Sequence, residues 1–426
     1  MNVNEEVEKD VKASEPDMRV SEGERWGRLI LGSVVLLFVG IIYVWAILRI
    51  PLATEFGWDS GQLSWNYTIT IIAFSLGGFC AGLVAKKVSI QLRLIIAAVL
   101  LFGGFFIASQ MGDNLFLLYL SYGIMAGAGV GIVYLTVIGA TNAWFPDRRG
   151  LASGILMMSF ALTTLIIGNV ADLMIKAESI GWRSTYVALA IAEAAIVLIA
   201  AFVVKMPKPG TVFPTPKAVA KAQAADKTAG QAPAQDYTSA EMVKRASFWK
   251  LFVFCALLAA VGSAAIALVG QIFTELGLGA ASLATVIGIV ALFNGFGRLA
   301  SGWLFDNVGI RTTQYITSAI AIAGPATVVL ALVTNNLVIG IIGVSLCYFS
   351  YGFAPTTSSV FASSFYGMKN FSQNFSMLNL FLIPAPFAAT MGGLLFVSTN
   401  SFVVPFAILA GAQVIGLFIN LTIRKA

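Results

Sequence analysis

Arg298 is the residue whose position most needs a chemical reason. It stands inside the apolar run "ALFNGFGRLASGWLF", and a guanidinium keeps its proton in proteins. A charge at the centre of a membrane-length helix costs roughly 2.5–3.5 kcal/mol on insertion scales, and such residues usually face a cavity and serve function. The planar fork of N–H donors suits a carboxylate. The plainer reading is a structural ion pair inside a helix bundle, which the scarcity of acidic residues in apolar runs weakens. Asn294 lies one turn earlier, on the same helical face. Its amide can orient the guanidinium or donate to a second oxygen of a bound anion.

Two carboxylates are candidates for carrying a proton. Glu193 sits within "VALAIAEAAIVLIA" and reads first as a protonated packing residue, second as a proton carrier. Glu275 follows an apolar run and reads first as a solvated edge charge. Histidine is absent, which removes the commonest metal ligand and proton relay. No nucleophile–base pair, metal set or nucleotide-binding glycine loop is visible, so neither an enzyme nor a bound cofactor is expected. The cysteines Cys80, Cys255 and Cys347 fall in apolar runs and read as small buried hydrophobes.

The elements that must position these residues are membrane helices. The 426 residues are 58% hydrophobic and only 11% charged, against about 25% charged in soluble domains; mean hydropathy is +0.87. Apolar stretches of bilayer-crossing length are expected at 29–48, 63–85, 93–111, 115–140, 151–175, 184–204, 248–273, 282–305, 312–334, 337–361, 374–398 and 402–423. Residues 1–28 are polar, lack a signal-peptide pattern and read as a disordered cytosolic tail. Residues 205–247, rich in Ala, Lys, Pro and Gln, read as a cytosolic linker. The expected domains are thus a six-helix bundle at 29–204 and a second at 248–423.

Charge sets the orientation. Of 26 Lys and Arg, only Arg49, Lys176 and Arg183 fall on the side opposite the termini, apart from Arg298 within its span. Positive residues collect in cytosolic loops, so both termini are expected in the cytosol. The halves also repeat. "TEFGWDSGQLS" at Thr54–Ser64 corresponds to "TELGLGAASLA" at Thr274–Ala284, and the same interval relates Gly78–Ser89 to Arg298–Gly309. A parallel repeat of six helices on a cytosolic linker resembles the major facilitator fold, in which substrate binds near the midplane between the halves. The fold class expected is all-α, with twelve transmembrane helices.

Two segments carry a narrower resemblance. "AGAGVGIVYLTVIGATNAWFPDRRGLASG" at Ala126–Gly154 and "ALFNGFGRLASGWLFDNVGIR" at Ala291–Arg311 resemble the oxalate/formate antiporter family and the related monocarboxylate transporters. "RRGLASG" is similar to a signature of the latter. Gly123, Gly127 and Gly131 have a separate reading, a flat stripe for helix packing. The motif around Asp306 and Arg311 resembles the superfamily's conformational latch. Lys86 stands at the position of Asp306 in the first half, so a symmetric pair of latches is not expected.

The resemblance also implies pocket residues. Tyr43, Tyr134 and Tyr351 match aromatic cavity positions of the antiporter family, where tyrosine supplies an apolar wall and a hydroxyl; helix packing or interface anchoring is the competing reading for each. Cys347 takes a position where that family carries tryptophan, implying room for a methyl or longer tail. Animal monocarboxylate carriers pair an aspartate with the arginine; Asn294 stands here instead, leaving Arg298 without a built-in counter-ion. The antiporter pattern places a lysine in the eleventh helix, but Asn374–Gly393 contains no Lys or Arg. Asn379 and the Pro384/Pro386 break either line the cavity or serve packing and a kink. One buried cation suits one carboxylate. The expected function is secondary transport of lactate, pyruvate, formate, acetate or a similar monocarboxylate, coupled to protons, by a monomer in the cell's inner (plasma) membrane, with no nucleic-acid partner. The alternatives are carboxylate exchange and, third, drug efflux.

Overall fold

A computed structural model of the chain describes residues 20–58, 60–208, 210–213 and 236–424. Among them, 12 helices are long and apolar enough to cross a membrane. In the first half these are α1 Glu22–Phe56, α2 Trp65–Leu83, α3 Ile90–Gln110, α4 Leu115–Asn142, α5 Arg149–Lys176 and α6 Gly181–Val203. In the second they are α7 Ala246–Glu275, α8 Val286–Asn307, α9 Gly309–Thr334, α10 Leu337–Tyr366, α11 Phe371–Phe396 and α12 Val403–Leu421. Helical backbone extends α2 back to Ser60 and α8 back to Ala280.

Two expectations about the polar segments need correction. Residues 22–28, expected in a disordered tail, are the first turns of α1. Ser21 caps the helix by accepting from the Glu24 N–H at 3.1 Å, and Glu22 and Glu24 suit the positive end of the helix dipole. Arg25 is fully buried, donating to the Trp144 carbonyl at 2.9 Å and pairing with Asp147. Hydropathy alone does not register a charged turn that plugs into a neighbouring loop. Within the expected linker, Ser239–Val243 is helical, with a reciprocal capping box between Thr238 and Glu241. The Tyr237 N–H donates to Tyr366 O at 3.0 Å, and Asn370 Nδ2 donates to Tyr237 O at 2.7 Å. The linker's last residues therefore dock onto the α10–α11 turn. Residues 1–19 of the tail and 214–235 of the linker lie outside the described residues.

Three spans depart from regular α-helix along their length. In α1, Gly40–Val44 tightens to a 3-10 turn, and Thr163 of α5 donates its hydroxyl to the Leu37 carbonyl at 2.6 Å. Such outside donors make broken helices tolerable in a bilayer. In α4, Tyr119–Ala126 winds as a π-helix. In α11, Asn379–Leu382 is a 3-10 turn and helix resumes at Phe387, because Pro384 and Pro386 remove backbone donors. The glycine stripe of α4 packs on α2: a Cβ on Gly127 would sit 2.7 Å from the Thr70 carbonyl.

The halves meet mainly through α5 against α8 and α2 against α11. Toward the ends that carry the termini, polar contacts tie them together. Asp306 of α8 accepts from the backbone N–H groups of Gly150 and Leu151 at 3.1 and 2.6 Å. Lys86 donates to Asn370, and Gln373 donates to Leu83 O at 2.9 Å. Ser153 and Ser359 share a 2.9 Å hydrogen bond, joined by Asn142. At the opposite ends the Arg183–Glu55 ion pair, at 2.7 Å, lies within the first half. The molecule is closed on the terminal side.

Candidate functional site

Arg298 lies in α8, 1% exposed, and its guanidinium reaches into the other half of the molecule. Nη1 donates to the Met157 carbonyl of α5 at 2.9 Å, and Nη2 donates to the Tyr43 hydroxyl of α1 at 3.0 Å. Nε donates to Asn294 Oδ1, one turn earlier, at 3.3 Å. The close seating of α8 depends on Gly352 of α10, where a Cβ would come within 2.7 Å of the Arg298 backbone nitrogen. Behind the guanidinium, the Arg298 carbonyl receives Ser301 Oγ at 2.9 Å and Thr356 Oγ1 at 3.5 Å.

Phenols surround the charge. Tyr43, Tyr134 and Tyr351 are all in electrostatic range of the guanidinium, and Tyr43 and Tyr351 are in range of each other. Arg298 Cζ lies 5.7 Å from the Tyr43 ring centroid. Tyr134 packs against Phe160 and Phe74 at 4.9 and 5.3 Å, and Tyr43 against Phe160 at 5.5 Å. The result is an aromatic cage of phenols and phenylalanine rings around the guanidinium. The two halves contribute Tyr43 and Tyr134 on one side, Arg298, Asn294 and Tyr351 on the other.

Guanidinium has five N–H donors. Three go to Met157, Tyr43 and Asn294; one on each Nη has no partner among the described groups. No carboxylate pairs with Arg298 among the described residues. The other buried arginines, Arg25 and Arg93, lie in the terminal-side turns of α1 and α3. The site therefore offers one cation and two open donors inside a phenolic wall, suited to a single carboxylate group.

Other candidates stand apart from this cage. The Cys347 Sγ faces α9, 3.0 Å from where a Cβ on Gly324 would be, and belongs to the core with Val344 and Tyr348. Asn379 is buried on the 3-10 turn of α11, its Oδ1 without a hydrogen-bond partner; that turn packs on α2 and α7. Glu193 is buried in α6 with both oxygens unpartnered, in electrostatic range of Tyr122. Glu275 is exposed at the end of α7. Asp306 reaches the α5 N-terminus, but Arg311 is exposed and makes no ion pair with it among the described residues, so the two do not form a charge pair.

Two contributors escaped the sequence reading. Tyr67 of α2 lies in electrostatic range of Arg298, Tyr43 and Tyr348, and the Met157 carbonyl is a direct ligand. In "SWNYTIT" a tyrosine near a span's start looks like an interface anchor. A backbone carbonyl leaves no residue-type signal.

The family model described as Major Facilitator Superfamily matches residues 30–389. The chain belongs to the major facilitator superfamily. An MFS-type transporter of Escherichia coli (strain K12), YhjX, is 25% identical over 84% of this chain and 84% of its own length. The oxalate:formate antiporter of Oxalobacter formigenes is 26% identical over 82% of this chain and 80% of its own. Monocarboxylate transporter 12 of Mus musculus is 27% identical over 38% of this chain and 34% of its own. The facilitator fold is shared with the solved proton:xylose symporter XylE at a TM-score of 0.71, with 14% identity over 94% of this chain and 97% of that one. The chain is thus a multi-pass membrane transporter of this superfamily, with relatives named for carboxylates.

Proposed function

We propose that the protein is a secondary transporter of a small monocarboxylate such as lactate, pyruvate, formate or acetate, with the anion held by Arg298. The observation that carries this reading is the buried guanidinium, with no carboxylate partner and with two N–H groups unpartnered among the described groups. The substrate carboxylate takes both donors, and the hydroxyls of Tyr43, Tyr134 and Tyr351 close around its oxygens and short tail. Because the cage is built from both halves, units 29–204 and 248–423 rock about it to expose it alternately on either side. Asp306 latches the terminal-side closure. The positive bias of that side supports cytosolic termini, and the carrier is proposed to work as a monomer in the plasma membrane.

Proton coupling is the first reading of the energy source, since it makes entry of an anion electroneutral; Glu193 is the acid proposed to carry the proton. Exchange of one carboxylate for another is the second. It is favoured by the absence of both candidate acids, Glu193 on α6 and Glu275 at the end of α7, from the groups that act on the Arg298 guanidinium among the described residues. An empty carrier must also move a standing positive charge between its two states, which an outgoing anion would neutralise.

Uptake of labelled lactate into proteoliposomes tests the assignment. Gradient-driven accumulation that disappears in Arg298→Ala is expected. Transport by the variant at the wild-type rate would overturn the role of Arg298. Uptake only into vesicles preloaded with a carboxylate, whatever the proton gradient, would select exchange.

A further inference from the structure

We propose a second anion site, remote from the cage: the cleft between the terminal-side ends of α7 and α12 binds the phosphate headgroup of an anionic glycerophospholipid. The cleft has a volume of about 670 Å³ and is lined by Arg245, Ser247, Lys250, Thr422 and Arg424 among others, with no acidic side chain in its lining among the described residues. Cations at the cytosolic edge of membrane helices are ordinary, and most trail into solvent. These converge on one cavity, and two of them are held. Arg245 lies over the Tyr237 ring at 4.2 Å. Lys250 Nζ donates to the Thr422 carbonyl at 3.2 Å, which leaves two of its three protons for a ligand.

The neighbouring carboxylate does not fill the site. Glu241, in electrostatic range of Arg245, is committed to its own helix cap: it accepts from the Thr238 N–H and hydroxyl, each at 2.8 Å, and those bonds hold its carboxyl below the usual range. The cavity also opens at the first turn of α7, where the positive end of the helix favours a phosphate oxygen.

Surroundings choose a lipid over a soluble phosphate. Where α7 and α12 pack side by side, their outer faces continue from the cleft as apolar surface. Trp249 is 53% exposed and Phe418 63% exposed, with Val253 and Val414 beside them. A headgroup seated on the cations places its acyl chains along this flank, and Trp249 stands at interface depth, where tryptophan is favoured. Soluble phosphate would use only the cations.

Native mass spectrometry of the full-length protein, titrated with phosphatidylglycerol or phosphatidylcholine, tests the site. Wild type is expected to retain one phosphatidylglycerol that millimolar inorganic phosphate does not displace. The combined variant Arg245→Gln/Lys250→Gln/Arg424→Gln is expected to bind it about 100-fold more weakly, on the scale of roughly fivefold per basic residue at an anionic surface. Phosphatidylcholine binding should be weak and equal in both. Three results would overturn the proposal: unchanged affinity in the variant, an equal loss in the control Lys87→Gln/Lys205→Gln/Lys208→Gln, or displacement of the lipid by inorganic phosphate. Photoreactive phosphatidylglycerol provides a readout on the unaltered protein. Cross-links are expected in the peptides spanning 245–250 and 421–424, and cross-links confined elsewhere would refute the site.

Discussion

Burying a guanidinium in a membrane is tolerable only when its donors are satisfied, and Arg298 is satisfied only in part. Hydrogen bonds to charged groups contribute about 1.5–3 kcal/mol each, so the bonds to Met157, Tyr43 and Asn294 offset much of the cost of removing the ion from water. They also fix the plane of the fork, which leaves one N–H on each terminal nitrogen for a ligand. Losing the Tyr43 hydroxyl should loosen that orientation without removing the charge. Tyr43→Phe is therefore expected to raise the KM for lactate about tenfold or more, while Cys347→Ala, facing α9, leaves it unchanged. Transport kinetics on the two variants check this; the reverse pattern would place the pocket on the α9-facing side of α10. The charged member of the cage was legible in the sequence because arginine in an apolar run has few explanations, and Asn294 followed from helical periodicity. Cys347 reads differently in sequence and structure: alignment assigns a position to a pocket, whereas the facing glycine, Gly324, decides where its side chain points.

At the scale of elements, the closure on the terminal side rests on helix ends. The Asp306 carboxylate meets the N-terminus of α5, where two unpaired N–H groups and the helix dipole converge. A carboxylate there is worth about 0.3–1 kcal/mol, up to about 2 when partly buried. Replacing it with an amide keeps its size but removes the charge. In Asp306→Asn, spin labels at positions 87 and 369, on either side of the Lys86–Asn370 contact, are expected to show a longer-distance population enlarged about twofold to fivefold, following that energy. An unchanged distance distribution would mean that Asp306 does not bias the closure. The sequence marked Asp306, and it also marked Lys86 as breaking the symmetry. What it did not reveal is that Lys86 has a neutral partner, Asn370, so the two crossings are tied by different chemistry. The α11 break at Pro384 and Pro386 was legible because proline writes its effect into the sequence; the tight turn of α1 at Gly40–Val44 carries no comparable mark.

At the scale of the whole molecule, one intramembrane charge links the two halves. The guanidinium belongs to the second half, yet two of its ligands belong to the first, so the halves are joined through the place proposed for substrate. Span number and the repeat were plain from hydropathy and spacing, since each crossing needs a long apolar run. Helical structure at Glu22–Arg28 and the docked segment around Tyr237 were not, because both are polar and depend on tertiary partners. Recognition of a carboxylate charge by Arg298 is the central proposal. Competition against labelled lactate, by unlabelled lactate and by its neutral amide, tests it on purified wild type and Arg298→Gln. Lactate should displace the label and the amide should not. The variant should bind lactate at least about 30-fold more weakly, the low end of the 2–5 kcal/mol lost when one partner of a buried charge pair is removed. Equal competition by the amide, or wild-type lactate affinity in Arg298→Gln, would contradict the account.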